Sequence, residues 1–231
     1  LKVKTLCAGP ASGARICQST RGAALANGWS RSFFHFFEEI LKMALNDIGL
    51  CSRALIRIGA RPISSFSDGT AESEIASVLY APVRDAVLSA YGWSFATGQA
   101  LLSRLSSPPL ADYPYAYQLP LDYLRVISAG NGGRGRGLNF RVTRGTIQTA
   151  AEEVILTYIF RPAEEEFPPY FDMALIARLA AEFCLPLTEN SSRAESLARL
   201  AEAEFAKARQ IDAQQDTPNR IEDFSLISAR E

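Results

Sequence analysis

The sequence predicts a mainly helical α+β chain, with a small antiparallel β region inserted between two helical segments. Three observations lead there. Apolar residues recur at helical spacing before residue 92 and again after residue 168. Between those stretches the pattern changes to strict alternation at Leu138, Phe140 and Val142, and again at Val154, Leu156, Tyr158 and Phe160. Proline and glycine clusters punctuate the transitions, as they do where helices stop and strands turn.

The elements follow in order. Ile48, Cys51, Ala54, Leu55 and Ile58 form one helical stripe, with Arg53 and Arg57 on the other side. Gly59 ends that helix and Pro62 prevents its resumption. Asp68, Gly69 and Thr70 form a turn, and Thr70 is placed to cap the next helix. That helix carries Ile75, Val78, Leu79, Val83, Ala86, Val87 and Ala90, with Pro82 expected to break its ladder and kink it. Residues 97–105 are compatible with continued helix until Pro108 and Pro109. Tyr113, Tyr115, Tyr117 and Tyr123 then sit in an extended, proline-interrupted segment leading into a strand at 123–128. The hairpin turn at Arg144-Gly145 follows, and the β region as a whole is expected over about 113–162. Pro168 and Pro169 open a helix bearing Phe171, Leu175, Ile176, Leu179, Ala180 and Phe183, which Pro186 is expected to stop. A last helix over about 189–214 has a thin, alanine-rich stripe, so it needs neighbours for stability.

Composition splits the chain at Met43. Residues 1–42 hold three of the four lysines, the only histidine (His35), and Cys7 and Cys17, with net charge +4. From Met43 onward the net charge is −5 and Lys207 is the only lysine. No apolar core of a secretory signal is present in residues 1–42; their Arg/Ser-rich, acid-poor character fits a transit peptide better. Translated upstream DNA fits better still, because Glu38-Glu39 can be encoded as GAGGAG, a ribosome-binding sequence just before Met43. We therefore expect 1–42 to be a non-native or disordered extension, 43–214 the folded domain, and 215–231 an extended C-terminal tail. Cys51 and Cys184, both on apolar helix faces, are expected to be buried free thiols. No apolar stretch approaches the roughly 20 residues of a membrane-spanning helix.

The blocks GLCSRALIRIGARPISSF, YGWSFA, YAYQLPLDYLRV, VILTYIFR and FPPYFDMALIARLAAEFCLPLT occur in that order, within a match spanning about 45–214. In this the chain resembles the head-to-tail connector (adaptor) proteins of tailed phages, most closely the tail tubular protein A group. None of the five blocks is a chemical signature alone; their order and spacing carry the likeness. The resemblance implies an antiparallel helix bundle with an inserted β-domain, assembled as a dodecameric ring at the virion head–tail junction. It implies a portal protein above, a downstream tail or nozzle protein below, neighbouring copies at the sides, and transient non-specific contact with genomic DNA. Assembly would take place in the host bacterial cytoplasm, and neither cofactor nor catalysis is implied.

Candidate site residues lie in two places. The tail carries Ile221, Phe224, Leu226 and Ile227 on an otherwise polar segment. They either fold back on their own subunit or dock on the portal or a neighbouring copy, with ordering entropy lost on assembly. The run GNGGRGRG contains GxGxxG at Gly130, Gly132 and Gly135, but a strand follows where a dinucleotide site needs a helix. It reads as a flexible hairpin tip whose Arg134 and Arg136 can contact DNA phosphates or a tail protein. Glu164-Glu165-Glu166 suits the N-terminus of the helix that follows. Two rival functions are weaker. A peptidoglycan hydrolase needs a carboxylate pair whose spacing sequence cannot show. A sequence-specific DNA-binding regulator needs a basic helix, and 71–91 has only Arg84. With no histidine after Met43, a Ser/His or Cys/His pair is not available in the body, and Ser52, Ser94 and Ser103 read as helix and loop residues.

Overall fold

A computed structural model describes residues 46–215. Met43, the extension 1–42 and the tail residues Ile221, Phe224, Leu226 and Ile227 lie outside them. The described elements are α1 (Asp47–Ile58), α2 (Ala71–Ala90), β1 (Thr97–Leu101), β2 (Tyr115–Gln118), β3 (Tyr123–Gly130), β4 (Phe140–Thr143), β5 (Thr146–Thr149), β6 (Ile155–Phe160), α3 (Pro169–Thr188) and α4 (Ser191–Asp212). Short 3₁₀ turns occupy Ser94–Ala96 and Glu164–Glu166.

Local chemistry sets the helix ends. The Asn46 side chain accepts from the Gly49 amide at 2.8 Å and starts α1. Gly59, at φ 77°, ends it as the Gly59 and Ala60 amides donate back to the Ile56 and Leu55 carbonyls. Ser52 clips the following turn, donating to the Ile63 carbonyl at 2.7 Å and accepting from its amide. Thr70 and Ser73 form a reciprocal capping box on α2. The α2 helix runs through Pro82 to Ala90, as its apolar stripe predicts, and the carbonyl orphaned by Pro82 belongs to Val78, a residue 68% exposed, so water can satisfy it. One proline expectation is corrected. Helix α3 likewise passes Pro186 and ends only at Thr188, with Glu189 in the left-handed region at φ 52°.

The fold corrects the expected antiparallel helix bundle with one small inserted sheet. The described residues form an α+β structure with four α-helices and two three-stranded antiparallel sheets. Helix α3 is the hub, packing against α1, α2 and α4, while α1 and α2 meet only lightly. A bundle closes its core with helices alone. Here Ile159 of β6 is fully buried in the helical core, and Leu124 of β3 packs against it.

Sheet A has the order β1-β6-β3 and sheet B the order β2-β5-β4. Strand β1 overturns the helical reading of 97–105: Thr97 through Leu101 pair with Ile159 through Ile155. Pairing with a strand nearly sixty residues away overrides a helix-compatible local sequence. Strand β5, a short TIQT run, pairs with both β2 and β4 and so creates the second sheet. The Arg144-Gly145 turn joins β4 to β5, both residues at positive φ.

Alternation gives sheet A two different faces. Leu156, Tyr158 and Ala129 enter a second core with Tyr117 and Ile147 of sheet B. Ile159 points the other way, into the helical core. Sheet A therefore stands between the helical layer and sheet B.

Candidate functional site

The YGWSFA block is a structural staple. Trp93 is fully buried and donates from Nε1 to the Val87 carbonyl at 3.1 Å. Its ring meets Tyr91, Phe171 and Phe205 edge-on at centroid distances of 5.1, 5.1 and 5.5 Å. Next to it, Ser94 anchors Asp212, the last residue of α4. The Ser94 hydroxyl donates to Asp212 Oδ1 at 2.7 Å, the Ser94 amide donates to the same carboxylate, and the Tyr170 hydroxyl donates at 2.8 Å. Asp212 is only 3% exposed, so these donors replace the water it loses. Burial first, then the bond to Asp212, pushes the Tyr170 phenol up to about 12. Sequence alone presents Ser94 as a plain loop residue; its partner lies 118 positions away.

A second charged cluster joins the helical layer to the end of sheet A. Arg84 donates to Glu164 at 2.6 Å and to its neighbour Asp85 at 3.0 Å. Arg161, just after β6, closes on Asp85 at 2.6 Å, and the Tyr80 hydroxyl donates to Glu164 at 3.0 Å. Burial pushes the Glu164 carboxyl up, but hydrogen bonds from Arg84, the backbone and Tyr80 outweigh it and hold the group below its ordinary range. Glu164 is thus fixed as a carboxylate, the wrong state for a general acid at neutral pH. The expected role of the triple Glu run at the α3 N-terminus is corrected for this residue: Glu164 turns to α2 instead.

Asp172, in the first turn of α3, behaves differently. Burial raises its carboxyl to about 6, against the opposing charge of Arg53. Its Oδ1 is a buried atom with no hydrogen-bond partner among the described residues. Cys51 and Cys184 are free and buried, and burial, aided by Asp47, pushes the Cys51 thiol up to about 12. A thiol so raised is a poor nucleophile. Among the described residues no group of three or more His, Cys, Asp or Glu could hold a metal ion. No helix among them is long and apolar enough to cross a membrane.

Of the sequence-selected site residues, Arg134 and Arg136 fall in the described structure, and the loop bearing them is more constrained than a flexible hairpin tip. Strand β3 ends at Gly130, where a Cβ would overlap the Arg134 carbonyl and the Arg136 amide. The loop then folds back over sheet A. Its Gly135 carbonyl accepts from Ser128 Oγ at 2.7 Å and from Thr157 Oγ1 at 3.1 Å, on strands β3 and β6. A side chain at Gly135 would collide with Thr157 and Gln99. The glycines thus let the backbone lie flat on a polar sheet face, which leaves Arg134 and Arg136 exposed at the surface. Arg104 is used differently, stacked over Tyr115 at 3.8 Å from the ring centroid.

The charge is divided between the two parts. Residues 97–161 contain seven Lys/Arg and four Asp/Glu, net +3. The helical segments 46–96 and 162–215 contain nine and fifteen, net −6. The body's overall negative balance hides this asymmetry, which a segment-by-segment count would have found. Comparison with protein-family models finds no match to the chain, and comparison with curated proteins finds no significant relative.

Proposed function

We propose that this chain is a structural head-to-tail connector of a tailed phage or prophage, joining a portal to a tail as an oligomeric ring. The observation that carries the reading is the order of the five sequence blocks, which fall in turn on α1 and its turn, the Trp93 staple, β2–β3, β6 and α3. The reading rests on that order and does not need the helices to form a bundle. The two differently charged parts supply unlike faces, as head-to-tail contacts in a closed ring require. In this reading Ile221, Phe224, Leu226 and Ile227 dock on the portal or a neighbouring copy at assembly, leaving whatever place they hold in the unassembled chain, and a tail or nozzle protein binds below. Arg134 and Arg136 touch passing DNA phosphates without sequence preference.

The test is electron microscopy of the full chain mixed with the portal protein encoded beside it. Rings seated on the portal are the expected result. A chain that neither binds portal nor assembles with it, and instead clears a peptidoglycan gel, overturns the reading in favour of a hydrolase.

A further inference from the structure

Three helices leave an apolar groove. Ala86, Val87 and Ala90 of α2, Ala174 of α3, and Ala201 and Phe205 of α4 line a depression of about 280 Å³, open to solvent on one side. Arg178 and Glu202 stand at its edge, 3.3 Å apart. An apolar cavity of about 150 Å³ accepts a benzene ring, so this one has room for two large apolar side chains. A short segment with one or two apolar anchors fits it.

We infer that the occupant is the C-terminal segment of the same chain, residues 216–231, anchored by Ile221 and Phe224. Reach supports this. Helix α4 ends at Asp212, and the described residues end at Gln215, three positions later. At about 1.5 Å per residue, the helix end lies roughly 10 Å past Phe205 and 16 Å past Ala201. An extended chain leaving Gln215 spans up to roughly 20 Å by Ile221 and 30 Å by Phe224, so both anchors can return to the groove. The other apolar residues, Leu226 and Ile227, lie farther along the same segment. The inference rests on groove and reach, not on the connector reading, and its test contains no portal.

The experiment uses the full chain carrying Ala90→Cys, at an exposed position on the groove lip. Maleimide labelling is followed peptide by peptide by mass spectrometry, so that the native cysteines are read separately. Ile221→Ala/Phe224→Ala, or a stop after Gln215, should speed labelling at position 90 at least about tenfold, since labelling tracks the open population. Far-UV circular dichroism of both variants, compared with the parent, checks that the helices are kept. An unchanged rate overturns the inference. So does protection that fades on dilution together with a dimer mass, because the tail would then come from a second copy.

Discussion

The helical core and the sheet core are built by different means. The helical core buries a run of large side chains around Trp93 and is closed by local motifs: the Asn46 cap, the Gly59 stop and the Thr70–Ser73 box. The sheet core is smaller, with Tyr117, Ile147 and Leu156 at its centre, and each of its sheets depends on strands distant in sequence. The first is acidic around a dense aromatic cluster; the second is basic and carries long loops. A region stabilised by local periodicity tolerates little change inside, whereas a region held by non-local pairing can vary its loops at its outer face.

The sharpest way to break the comparison is Trp93→Ala. Loss of its ring removes the edge-on contacts with Tyr91, Phe171 and Phe205 and the bond to Val87, and should cost about 3–5 kcal/mol. Urea unfolding followed by far-UV circular dichroism would measure it. Both cores should weaken, because β6 contributes Ile159 to one and Leu156 to the other. Ile147→Ala, in the central strand of sheet B, should cost about 2–5 kcal/mol locally. Its effect should appear as faster hydrogen exchange in β2, β4 and β5 with α1 and α3 still protected. Equal loss of protection in α3 would show that the two cores form one cooperative unit.

The same contrast explains what was legible in the sequence. Helices α1 to α4 were readable because their apolar residues recur locally and their caps lie within a few residues. Helix-stopping proline misled at Pro186, since α3 runs on two residues past it. The strands β4 and β6 were legible from alternation, and β3 from the extended, proline-interrupted segment that leads into it. β1 was not, because TGQAL has no strand pattern until β6 supplies it. Among candidate sites, Arg134 and Arg136 were visible as charges in a glycine run, but the folding of that run onto Ser128 and Thr157 was not. The Asp212 and Glu164 clusters escaped for the same reason as β1: their partners are far along the chain.

The junction between the two regions should respond to acid. Glu164→Gln keeps an acceptor for Tyr80 but loses the charge facing Arg84, at an expected cost of about 1–2 kcal/mol at pH 7. Because the folded carboxyl lies below its ordinary value of 4.5, its contribution is present above that pH and is lost as pH falls below it. The gap between wild type and variant in urea midpoint should therefore narrow on going from pH 7 to pH 3. A constant gap would mean that packing, not charge, holds the turn. Asp172 has the opposite sign. Its folded carboxyl is raised from 3.8 to about 6, so the folded state keeps a proton that the unfolded chain releases, and stability falls as pH rises across that window. Asp172→Asn should stabilise by about 1 kcal/mol at pH 8, after discounting for solvent screening, and by nothing below pH 3.8. Urea midpoints of the variant and wild type at the two pH values would measure the difference.

The smallest effect belongs to the basic face, and it separates surface function from stability. Arg134→Ala/Arg136→Ala should leave the unfolding midpoint unchanged, because the loop is held by the Gly135 carbonyl and not by either guanidinium. On the connector reading, which gives these arginines transient contact with phosphates, binding to random-sequence duplex DNA at low salt should weaken by only a few fold, and equally for every sequence tested. Each arginine withdrawn from a phosphate should lower the slope of log affinity against log salt by about 0.9, so the double variant should lower it by at most about two. The acidic helical part provides the control, since the double substitution Arg193→Ala/Arg199→Ala removes the same two charges from the −6 side and should leave DNA binding nearly unmoved. Equal weakening from both sites would mean that the protein's net charge, and not the placement of arginines on the sheet module, governs the contact. Weakening confined to the glycine loop would mark that module as the face turned toward nucleic acid.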